Sequence, residues 1–210
     1  MTWVLLSDLR DAANYVSPLM GIGAEACELL VAPVLKRSVA NFREAPRDWN
    51  DIPDTCAALL LEVGGVDDAD LDSAIEKARS VLTDADLIAP LAFDKTVDGQ
   101  RGAWHIRNGS FGVIGSDRHQ GTTLITEDVC FPPALVGQGA ANLLDLLASY
   151  EYPEMAMGHA AFGKPHFFIL PHFGIEQERE KSSRSFGNLG SFLVWNADSA
   201  SRFVPRVMSR

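Results

Sequence analysis

At 210 residues with 47% hydrophobic content, the chain is long enough to bury one ample core or two small ones, and its composition excludes a disordered or fibrous protein. A formal net charge of -10 argues against a nucleic-acid partner, because a phosphate backbone calls for Lys and Arg gathered on one face. No apolar run reaches bilayer-spanning length, and the opening MTWVLLSDLR lacks the basic start and longer apolar stretch of a signal peptide, so a cytoplasmic protein without a transmembrane segment is expected. Cys27, Cys56 and Cys130 form no C-x-x-C pair and read as reduced thiols.

In chain order, Asp8 to Met20 predicts a helix, with Leu9, Ala12, Ala13, Val16 and Leu19 on one face and GIG ending it. AEACELLVAP predicts a strand followed by a helical turn or two, and NFREAPRDWNDIPDT a connecting loop. Cys56 to Gly65, CAALLLEVGG, has the length of a buried strand. DDADLDSAIEKARSVLT predicts a helix whose acidic first turn complements the helix dipole; Asp67, Asp68, Asp70 and Asp72 lack the loop glycine of a calcium site. ADLIAPLAF is then expected to be a strand, completing a β-α-β unit.

A second cycle starts with a helix in QRGAWHIRNGSFGVIG, around Trp104 and Arg107. TTLITEDVCF, from Thr122 to Phe131, is rich in β-branched residues and predicts a strand ending at Pro132-Pro133. ALVGQGAANLLDLLASYE predicts a helix despite Gly137 and Gly139, and EMAMGHA with KPHFFILPHF predicts a hairpin. The expected fold is therefore α+β, an antiparallel sheet with helices on one face, in two ferredoxin-like halves. A doubly wound nucleotide fold is not expected, since GIGAE follows a helix and not a strand.

The hairpin places His159 at the end of one strand and His166 at the start of the next. A turn of this length brings strand ends within about 5 Å, so the imidazoles either converge on one metal or substrate proton or sit apart, each with its own hydrogen bond. Two ligands do not complete a catalytic metal site, which takes three protein ligands and an open position. Glu127 and Asp128 are adjacent in a strand and point to opposite faces, so at most one reaches a cleft; Glu127 is the candidate. Arg107 is a candidate clamp for a substrate carboxylate.

AALLLEVGG, AWHIRNG, GTTLITEDVCFP and GHAAFGKPHF, in this order and spacing, resemble the C-terminal (cap) domain of FAD-linked oxidases, which include D-lactate dehydrogenase, glycolate oxidase and D-2-hydroxyglutarate dehydrogenase. The likeness is greatest to large bacterial members fused to an iron–sulfur module. It implies FAD carried by a separate flavin-binding domain or subunit, and a small D-2-hydroxy acid bound between cap and flavin. It also implies that Arg107 holds the substrate carboxylate. His159 and His166 would bind a divalent metal such as zinc or manganese, with a histidine also able to act as base.

The chain departs from this pattern where the family's G-N-L-H becomes GKPH: Lys164 would repel a cation, and Pro165 fixes φ and removes an N–H. The sequence assigns residues 1–173 to an incomplete cap domain and 174–210 to a divergent tail without the family's A-E-H-G, which supplies the third metal ligand. Glu176 and Glu178 lie there without the adjoining His-Gly, and such a tail is expected of a frameshift, a truncation or a lineage-specific ending. Three readings follow: the cap of an FAD-dependent 2-hydroxy-acid dehydrogenase, inactive without its flavin partner; a catalytically inactive remnant; and a ferredoxin-like module binding a small ligand. A cap separated from its flavin domain should expose an apolar patch and self-associate as a homo-oligomer.

Overall fold

The structure, a computed structural model, describes residues 1–132, 135–152 and 155–197, with side chains in the last helix as far as Leu189. The expected starts of the fifth helix at Ala134 and of the hairpin at Glu154, the Pro133 stop, and the tail beyond Ala197 lie outside the described residues.

The first half runs β1 (Thr2–Leu6), α1 (Leu9–Gly21), β2 (Ala26–Val31), α2 (Ala32–Asn41) and β3 (Ala57–Glu62). Helices α3 (Asp68–Val81) and α4 (Val97–Ser116) lead to the second half: β4 (Ile125–Asp128), α5 (Val136–Ser149), β5 (Ala156–His159) and β6 (Lys164–Ile169). Helix α6 (Glu176–Ala197) follows. The strands form one antiparallel sheet in the order β1-β3-β2-β5-β6-β4. Each half is a β-α-β-β unit whose third strand lies between its first and second, the ferredoxin-like arrangement expected, and the halves join along β2 and β5. That junction is narrow: among the described residues, Leu29↔Gly158 and Leu30↔Met157 are the pairs across it.

Two expectations about strands need correcting. Thr2–Leu6 is a strand that the pattern reading passed over, and it pairs with β3 along its whole length. ADLIAPLAF is not a strand. It runs beside the outer edge of β1 and touches it through a single bridge, Leu6↔Leu87, with hydrogen bonds from Ile88 N to Leu5 O and Asp94 N to Met1 O. Pro90 lies between those contacts and has no N–H to continue a ladder, so the segment covers the edge without extending the sheet. The helical turn or two expected after β2 is a ten-residue helix, since α2 runs through Val34, Leu35, Ser38 and Val39, all buried, to Asn41, where the expected loop begins.

Side-chain alternation gives the sheet two unlike faces. Val4, Leu59, Leu61, Cys27, Leu29, Phe167 and Ile169 share the face covered by α1 and α5. Gly137 explains how these helices lie so close: a Cβ there would stand 2.6 Å from the Cβ of Ala13. Gly139 likewise makes room for the Phe131 ring. The caps are those the sequence offers, Asp8 accepting from Asp11 N at 2.8 Å and Asp67 from Asp70 N at 2.9 Å, so the acidic run at Asp67 starts α3.

Trp3, Leu60, Glu28, Leu30, Met157, His166, Asp128 and Phe168 share the opposite face by register. Helix α4 crosses this face. Ala103 packs with Leu60 and Met1, Arg107 bonds Glu28, and Phe111 stacks edge-on against Phe168 with centroids 5.4 Å apart. Helix α2 packs beside α4 on this side, with Ser38 Oγ 3.3 Å from Ser110 Oγ, and Trp49 meets Trp3 edge-on, while the side chains of His159 and Asp128 stay partly open to solvent.

Candidate functional site

The hairpin of β5 and β6 forms around a 3-10 turn, Ala160–Phe162, closed by Gly163 at φ +68°, a left-handed conformation that glycine alone enters freely. Phe131 N donates to Gly163 O at 2.7 Å and Val129 N to Pro165 O at 3.0 Å, pinning the turn to the end of β4. Pro165 is tolerated although β6 is an inner strand. It stands at the second residue and opposite Gly158, where any Cβ would lie 2.5 Å from Lys164 O.

His159 faces Lys164 in register, His166 faces Met157 on one side and Asp128 on the other, and the two imidazoles project from the same face. Their rings meet edge to face with centroids 5.6 Å apart and planes at 81°. Each Nδ1 is tied to a carboxylate: His159 to Glu28 Oε1 at 2.8 Å, and His166 to Asp128 Oδ1. Glu28 reaches the site from β2, across the seam. Its side chain is 5% exposed, and its second oxygen, Oε2, accepts from Arg107 Nε at 2.9 Å and Nη2 at 2.7 Å. Arg107 Nη2 also lies 3.4 Å from His159 Nδ1. The result is a continuous line, Arg107, Glu28, His159, His166, Asp128, running from beneath α4 to the open part of the sheet, where Asp128 is 56% exposed.

The family described as FAD linked oxidases, C-terminal domain, matches residues 2–202. The chain belongs to that family. The match of the FAD-linked oxidase domain continues past Gly174 and takes in α6. No curated protein matches the chain. Membership makes it part of an FAD-dependent oxidoreductase and implies a flavin-binding partner domain. Among the described residues, no helix is long and apolar enough to cross a membrane.

The residues of the FAD-linked oxidase domain stand in different relations to the groups the resemblance implies. The glycine-bearing GIG stretch closes the C-terminal end of α1, where Gly23 N donates to Met20 O. A helix C-terminus carries the negative end of the dipole and repels a diphosphate, so this stretch does not fit the nucleotide of FAD. The divalent metal does not fit either. Among the described residues, no three of His, Cys, Asp and Glu gather as a ligand group, and Lys164 stands in register opposite His159.

Of the residues singled out from sequence, His159, His166 and Arg107 come together in this one line. Arg107 directs Nε and Nη2 at Glu28 and lies mostly buried. Glu127 does not join them: it opposes Phe167, on the face of α1 and α5, where it is buried. The carboxylate on the histidine face is its neighbour Asp128. Glu28 was missed altogether. Its signal is a charge inside the apolar run ACELLV, since a carboxylate in a buried strand must have a partner.

Proposed function

We propose that this domain forms the substrate-side wall of an FAD-dependent dehydrogenase acting on a small D-2-hydroxy acid of the D-lactate, glycolate or D-2-hydroxyglutarate kind. The observation that carries the reading is the convergence of one guanidinium and two carboxylate-tied imidazoles on one open face. Arg107 meets the substrate carboxylate from its Nη1 side, since Nε and Nη2 are turned to Glu28. With Nδ1–H donated to a carboxylate, an imidazole presents its Nε2 lone pair, and that atom of His159 or His166 takes the hydroxyl proton. FAD, held by the partner domain, supplies the acceptor for the substrate's electrons.

The partner is a flavin-binding domain or subunit, with an iron–sulfur module in the same assembly and a cytoplasmic setting. Phe162, 70% exposed on the turn between the two histidine strands, offers an apolar contact for it, and without that partner the same surface promotes homo-oligomers. A second reading, a catalytically inactive domain that binds a small ligand, is favoured by the pairing of Arg107 with Glu28, which offsets the charge a carboxylate ligand would seek. Calorimetric titration with oxalate, a planar mimic of an oxidised 2-hydroxy acid, separates the two. Saturable binding that Arg107→Met loses and that His159→Ala/His166→Ala weakens supports the dehydrogenase reading; no binding by the unaltered chain removes it.

A further inference from the structure

We propose that Glu28 is the positioning residue of this site, a single buried carboxylate that sets the spacing between the Arg107 guanidinium and the His159 imidazole and fixes the tautomer of that imidazole. The roles assigned to Arg107 and His159 rest on the reading above; the tautomer and the spacing rest on the geometry alone.

Glu28 stands where β2 meets β5, so its side chain reaches both α4 and the hairpin. Its two oxygens are divided between two partners, Oε2 to Arg107 and Oε1 to His159. Glu28 faces a guanidinium through Nε and Nη2, and as the carboxylate of that ion pair it only accepts. The atom facing Oε1 at 2.8 Å must then be a donor, so His159 carries a proton on Nδ1 and, as a neutral imidazole, leaves Nε2 as an acceptor. The 3.4 Å approach of Arg107 Nη2 to the same Nδ1 is a meeting of two donors, tolerable because Glu28 lies against both. Without the carboxylate, Nδ1 would be free to accept from the guanidinium, which favours the Nε2–H tautomer. Asp128 cannot substitute: it belongs to the far strand β4 and is turned to His166.

The test is nitrogen-15 NMR of the imidazoles in the full chain, with the His159 signals assigned by loss in His159→Gln. The expected result is a protonated Nδ1 and an unprotonated Nε2 for His159 in the unaltered protein. In Glu28→Gln that form is lost in favour of Nε2–H, and Glu28→Asp restores it in part, while His166 keeps its own signature throughout. An Nε2–H tautomer for His159 in the unaltered protein overturns the proposal without any variant, and so does a His159 pattern unchanged by Glu28→Gln. Because the tautomer is read on the chain alone, a failure to bind oxalate would sink the dehydrogenase reading while leaving the role of Glu28 to this measurement.

Discussion

The two faces of one sheet are held in opposite ways. The face under α1 and α5 is closed by close packing, down to glycines that let helices touch, and carries buried aliphatic and aromatic side chains. The face under α4 is closed by that helix with α2 and Trp49 beside it, and its middle is held by an ion pair of which both side chains are mostly buried. The packed face is sensitive above all to a change of volume; the buried ion pair is sensitive above all to the loss of one partner. The candidate site lies on the second face, where the polar groups are paired with one another and one end of their line is open to solvent.

The sharpest test of that contrast is to remove one member of the buried pair. Arg107→Met leaves Glu28 without its main cation and is expected to cost about 3–5 kcal/mol in denaturant unfolding, whereas Arg107→Met/Glu28→Leu should recover most of the loss. Equal losses in the single and double variants would mean that packing, not charge, holds α4 down. On the other face, Gly137→Ala sets two effects against each other. Helix propensity alone favours Ala by ~1 kcal/mol, but the new Cβ would crowd Ala13, so a net loss of about 1–3 kcal/mol is expected by thermal or denaturant melting.

A smaller effect comes from Cys27, whose thiol is pushed up to about 12, first by burial and then by the neighbouring Glu28. The folded state keeps this proton while the unfolded thiol releases it above its ordinary value near 9, so the unfolded state binds fewer protons in that window. Stability should accordingly fall as pH rises from about 9 toward 12, by ~1.4 kcal/mol per unit from this group, and be insensitive to it below. Cys27→Ala should flatten that slope, read from denaturant midpoints across the window. The least change is expected from His159→Ala/His166→Ala at the open end: within about 1 kcal/mol in stability, with no zinc or manganese binding to lose, since the described residues form no ligand group. A micromolar metal site abolished by this pair would break the comparison, by showing that the open end does assemble around a cation.

The hydrophobic period made both halves of the sheet legible wherever a strand is buried on both sides, as in ALLLE of β3, or where a helix has one clear apolar stripe, as in α1. It failed at the two edges of its range. Thr2–Leu6 is short and stands at the start of the chain, without a turn signal before it, and ADLIAPLAF looks like a strand until Pro90 meets an edge that needs donors. The histidine pair was legible because its residues are local in sequence. The partners of that pair were not, because Glu28 and Asp128 reach it through strand register: a shift of one residue decides between Glu127 and Asp128, and nothing in ITED alone fixes that register.

Among the described residues, the two half-sheets are joined by two facing residue pairs, Leu29↔Gly158 and Leu30↔Met157, and the Glu28 to His159 contact lies next to that joint. That contact ties the two halves on the α4 side of the seam, as the packing of α1 on α5 through Ala13 and Gly137 ties them on the other, and a ligand bridging Arg107 and His159 would lie along the same seam.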